Sequence, residues 1–96
     1  MLLHTLNAAP SSSAFADCLR LLGPGDAIVL MGDGVYGALG GTQAAAQLEA
    51  SGAELYLLRP DTSAAGVQPP EDCFQIIDFE GLVVLTERFE RQLAWY

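Results

Sequence analysis

Apolar positions along this chain follow two rhythms. Short uninterrupted runs, as in strands covered on both faces, alternate with stretches whose apolar residues recur every three to four positions, as on one side of a helix. Leu2 to Leu6, apolar apart from His4 and Thr5, reads as a first strand that ends at Asn7 and Pro10. Ser11 to Ser13 offer N-caps to a helix with the stripe Phe15, Leu19 and Leu22, Asp17 sits near its start, and Gly23-Pro24-Gly25 stop it. Ala27 to Met31 is a second strand, broken abruptly at Gly32-Asp33-Gly34. Val35, Leu39, Ala46 and Ala50 then fall near helical spacing, with Gly40 and Gly41 loosening that helix early or delaying its regular part.

Beyond Ser51-Gly52, Ala53 to Leu58 forms a third strand, and Arg59-Pro60-Asp61 turn away from it. Thr62 to Ala65 reads as a short helical turn capped by Asp61 or Thr62, and Gln68-Pro69-Pro70 force an extended connection. Phe74 to Ile77 is a fourth strand. Asp78 caps a helix carrying Phe79, Leu82, Val83, Leu85 and Thr86, although the β-branched pair Val83-Val84 leaves a strand open there. Leu93 to Tyr96 closes as an edge strand or a docking tail. Strands alternating with helices predict a three-layer α/β/α fold, with a mainly parallel sheet of about five strands and right-handed crossovers. Without linker, repeat or low-complexity tract, the 96 residues read as one domain. Chemistry in such sheets collects beyond the carboxyl ends of the strands, which makes Asp33, Gly34 and Tyr36 the first candidates for a site.

Composition changes this picture in two respects. At 51% hydrophobic and only 17% charged, the chain is more apolar than an ordinary soluble monomer, in which charged residues alone make up about 25%; a partner covering apolar surface is expected. Twelve acidic residues face four arginines and no lysine, a net charge of −8 that repels phosphate backbones, so direct nucleic-acid binding is not expected. The opening Met1-Leu-Leu-His4 lacks the basic segment and the long apolar run of a leader, and nothing approaches the roughly 18 apolar residues of a membrane span. A cytoplasmic location is expected, and in that reducing compartment Cys18 and Cys73 are not expected to pair.

Candidate chemistry is sparse. Gly32, Gly34 and Gly37 satisfy the G-x-G-x-x-G spacing and could turn amides toward an anion, but Asp33 carries the wrong charge. Arg59 stands where a ribose-binding acid would sit, so a tight turn with close packing is the preferred reading. His4 has no second histidine or cysteine at ligand spacing, so neither metal nor cofactor is expected, and it reads as a core or interface residue. Trp95 and Tyr96 serve either to seal the chain's own sheet or to anchor a neighbour. Cys73 reads as structural or incidental.

Three local patterns, Leu3-His4-Thr5-Leu6-Asn7 with Pro10, Asp33-Gly34-Val35-Tyr36-Gly37-Ala38, and Leu93-Ala94-Trp95, occur in an order and spacing that resembles the DsrH/TusB family of sulfur-relay subunits. The resemblance covers essentially the whole chain. It implies a five-stranded α/β subunit that joins two related small subunits, TusC/DsrF-like and TusD/DsrE-like, in a heterohexamer with two copies of each. Such a complex takes persulfide sulfur from an upstream carrier and passes it toward 2-thiouridine at the tRNA wobble position, with catalytic transfer mainly on the TusD-type partner. In the related branch it moves sulfur during sulfur oxidation. Cys18 aligns with the cysteine that DsrH-type members carry and many TusB-type members lack. A sulfur carrier needs a thiolate, and beside Asp17 with only Arg20 nearby Cys18 lacks an obvious activator; packing on the helix flank is the preferred reading, sulfur carriage the alternative. Outside the family, the alternative is a stand-alone α/β module that binds a small anion at the Gly32 to Gly37 turn.

Overall fold

Five strands, all parallel, form one sheet, in which the fourth, third, second, first and fifth strands of the chain lie side by side in that order. The computed structural model describes residues 1–69 and 73–96. Along the chain the elements are β1 (Leu2–Leu6), α1 (Ser13–Leu21), β2 (Ala27–Leu30), a 3-10 helix (Gly32–Ala38), α2 (Gln43–Ala50), β3 (Glu54–Leu58), α3 (Arg59–Ala65), β4 (Gln75–Ile77), α4 (Phe79–Arg88) and β5 (Arg91–Trp95). The expected parallel α/β sheet of five strands is present, with an apolar layer on each side.

Strand alternation sorts the core into those two layers. Leu6, Ile28, Leu30, Leu55 and Leu57 face Phe15, Cys18 and Leu22 from α1 and its C-cap, Val35 and Ala38 from the 3-10 helix, and Leu48 from α2. Leu3, Ala27, Val29, Tyr56 and Leu58 face Leu85 of α4 and Phe89 just beyond it. β2 lies at the centre and is buried at all four positions, which is why it reads as a continuous apolar run; full burial of Ile28 or Leu30 contributes on the order of 2 kcal/mol each.

Helix starts follow cap chemistry. Ser12 Oγ accepts from the Phe15 N–H at 3.2 Å, Thr42 Oγ1 from Ala45 at 3.3 Å and Asp78 Oδ1 from Gly81 at 2.9 Å. Asp17 lies beyond the first turn of α1 and pairs with Arg20 one turn on, so it does not serve the helix N-terminus. Val83-Val84 is helical, inside α4.

Two segments depart from expectation. The helix expected to start at Val35 is split: the glycine-rich Gly32–Ala38 winds as a tighter 3-10 helix, and the regular α2 starts only after Gly40-Gly41, at Gln43. Its buried positions are Ala45 and Leu48, not Ala46 and Ala50, because a run of alanines gives periodicity no contrast to register on. The turn expected at Arg59-Pro60-Asp61 is instead the first turn of α3, where proline costs no hydrogen bond, and Gly66 at φ 70° ends that helix. The extended Gln68-Pro69-Pro70 connection runs into residue 70, outside the described residues.

Candidate functional site

Three chain segments meet at His4. The side chain is fully buried on β1, and β5, paired directly beside it with Leu6 opposite Trp95, delivers an indole to one side of the ring. Trp95 Nε1–H donates to His4 Nδ1 at 3.1 Å, the ring centroids 6.3 Å apart. Indole nitrogen only donates, so Nδ1 must be the unprotonated nitrogen and Nε2 carries the hydrogen. That Nε2 lies 3.3 Å from Asp26 Oδ2, just before β2, and both nitrogens of a neutral imidazole are satisfied. Asp26 also accepts from the Leu2 N–H at 2.9 Å and the Gly23 N–H at 3.2 Å. Desolvation of this carboxyl raises its pKa, but the bonds from Leu2, His4 and Gly23 outweigh that and hold it below the usual carboxylate value. His4 and Trp95 thus tie the chain to itself, whereas Tyr96 is 84% exposed.

The Gly32 turn sits at the carboxyl ends of β2 and β3, as expected, and its glycines answer to packing. A Cβ on Gly34 would run into the Leu6 carbonyl, and one on Gly37 would lie 2.7 Å from Phe15 Cζ. The Gly34 N–H is taken by the Met31 carbonyl at 2.9 Å and the Gly32 N–H by Asp61 Oδ2 of α3 at 2.8 Å. An anion arriving here would therefore meet a carboxylate already on the amide. Asp33, Tyr36 and Asp61 line an open notch of about 230 Å³ between the 3-10 helix and α3, together with Gly32, Ala64 and Ala65. Asp61 was expected only as a cap; the 29-residue gap to Gly32 leaves no local sequence signal for the bond it makes.

Cys18 is nowhere near exposure: it is fully buried in the layer formed by Phe15, Val35 and Leu48. Burial pushes its thiol up to about 12, so at neutral pH it is protonated and out of reach of a persulfide. It does not line the notch, so the sheet-edge turn and the thiol are not parts of one site. Cys73 is exposed at the start of the β4 segment. Among the described residues no three His, Cys, Asp or Glu side chains group closely enough to hold a metal ion. A further cluster had no sequence signal either: Arg88 at the end of α4 donates to both oxygens of Glu54 at 3.0 and 2.5 Å, and Tyr56 Oη–H donates to the same carboxylate at 2.6 Å. The Arg88 and Tyr56 hydrogen bonds keep Glu54 below the usual glutamate value.

Residues 8–92 match the family described as DsrH like protein. The chain belongs to this DsrH/TusB family. The DsrH-family chain is 41% identical over 95 residues to Protein TusB of Pectobacterium parmentieri, covering 98% of this chain and 100% of that one. To Protein TusB of Escherichia coli strain K12 it is 36% identical over 96 residues, again across 98% and 100% of the two chains. Among solved structures, the ychN protein from E. coli superposes with a TM-score of 0.73 over 97% of both chains at 21% identity. Protein Tm0979 from Thermotoga maritima does so at 0.66 over 94% and 95%, at 24% identity. These two share the fold with the DsrH-family chain. No helix among its described residues is long and apolar enough to cross a membrane.

Proposed function

We propose that this DsrH-family chain is an assembly subunit of a cytoplasmic sulfurtransferase complex that relays persulfide sulfur toward 2-thiolation of the tRNA wobble uridine. Its partners in this reading are two related small subunits, TusC/DsrF-like and TusD/DsrE-like, in a heterohexamer, and sulfur reaches the complex from an upstream persulfide carrier. The observation that carries the reading is the end-to-end similarity to TusB proteins. The buried, protonated Cys18 supports a subunit that does not itself carry sulfur, in preference to a sulfur-oxidation subunit that would use this thiol. A net charge of −8 supports leaving tRNA to another protein.

The test is to tag the chain at native level in its host, purify it gently, and determine which chains accompany it and the mass of the assembly. Two related small subunits in equal amounts are expected. Recovery as a lone monomer would sink the proposal. In the same host, Cys18→Ser is expected to retain 2-thiouridine, and loss of thiolation from a fully assembled complex would assign Cys18 a chemical part.

A further inference from the structure

Phe79, Val83 and Val84 stand 61%, 54% and 62% exposed on one helix. Single exposed apolar residues are ordinary, but three large ones within two turns make a patch. α4 cannot rotate them inward, because Leu82 and Leu85 already seat its other side against the sheet. At about 100° per residue, Glu80 and Glu87 project from the middle of the outer face, between Phe79 with Val83 on one flank and Val84 on the other. Among the described residues neither glutamate joins an ion pair. The face therefore calls for apolar groups and cations together.

A second copy of this chain that met it α4 to α4 could not supply them. Its cations are four arginines, of which Arg20 is paired with Asp17 and Arg88 with Glu54. Arg59 opens α3 and Arg91 opens β5, so neither belongs to an α4 face. Two α4 faces brought together would oppose Glu80 and Glu87 to their own copies in chains that each carry −8. We propose that the outer face of α4 docks a different protein, a related subunit of the assembly whose contact surface sets arginine or lysine beside apolar side chains. This rests on the assembly reading above and adds the face of this chain that the assembly uses and the chemistry of what meets it.

The full chain, co-expressed with the two related subunits of its host, is purified as the complex and diluted to measure its dissociation constant. Val83→Gln with Val84→Gln, and separately Glu80→Lys with Glu87→Lys, are each expected to weaken assembly by about tenfold or more; added salt is expected to weaken the wild-type assembly and not that of the lysine pair. Leu21→Gln, which removes an exposed leucine from α1, is expected to assemble like the wild type. Unchanged melting of each variant chain alone separates docking from folding. If both α4 variants assemble normally, the proposal falls while the assembly reading stands. If the wild type fails to assemble, both fall. If instead the wild-type chain dimerises alone and Val83→Gln with Val84→Gln abolishes the dimer, the occupant is a second copy and the proposal is overturned.

Discussion

Asp26 accepts three hydrogen bonds at once, from the N–H of Leu2 and the imidazole of His4 on β1 and from the N–H of Gly23 in the turn before β2. Its carboxyl lies below the ordinary 3.8 in the fold, so the bonds to its charged form contribute stability that is complete above that value and lost as pH falls through the lower, folded one. Asp26→Asn is expected to destabilise the chain at pH 5 and to matter progressively less toward strongly acidic pH. Denaturant midpoints for both chains across that range check this; a gap that stays constant would refute the linkage. Cys18 permits a second test. Since its thiol is buried and protonated, iodoacetamide is expected to leave it unmodified in the native chain and to label it once denaturant is added, read by peptide mass spectrometry. The sequence placed Cys18 on the flank of the Phe15, Leu19, Leu22 stripe; the structure centres it there, because Leu19 is the residue that turns partly outward.

The element that shows how far the sequence reads is the 3-10 helix. The end of β2 just before Gly32 was legible from the abrupt glycines, and so was a packing role for them. What replaced the regular helix was not legible, since it depends on contacts with β1 and α1 that are distant in sequence: Gly34 lies against the Leu6 carbonyl and Gly37 under the Phe15 ring. Gly34→Ala is expected to cost about 3 kcal/mol, because its Cβ meets backbone that cannot move aside. Gly23→Ala, with open space and no positive φ, is expected within about 1 kcal/mol of the wild type. Equal effects on the unfolding midpoint would mean that close approach is not what the Gly34 position demands. α3 was missed at its start for a related reason. Arg59-Pro60-Asp61 carries turn residues that also suit a first helical turn, and the bond from the Gly32 N–H to Asp61 comes from a residue distant in sequence.

For the molecule as a whole, alternation of strand and helix was enough to foresee a parallel sheet with two apolar layers. Strand neighbours were not legible, because nothing local tells β5 to lie beside β1, some ninety residues away, where Trp95 donates to His4. The charge imbalance also acts at this scale. With −8 on 96 residues the folded chain repels itself, so its melting temperature at pH 7 is expected to rise as salt is added from low ionic strength. A fall with salt would show that the Glu54–Arg88 and Asp17–Arg20 pairs outweigh the repulsion; both are largely exposed, and pairs of that kind are worth little.

The pairing of β5 with β1 also sets an order of events at the ribosome. Until residues 91–95 have emerged, β1 remains an edge with unpaired backbone groups, and the His4 ring has no indole to accept from. A nascent chain can seat its helices on β2 and β3 early, but β1 waits for β5. Completion of the fold is a late closure between two segments far apart in sequence, and the apolar β1 edge stays open to other chains through most of synthesis.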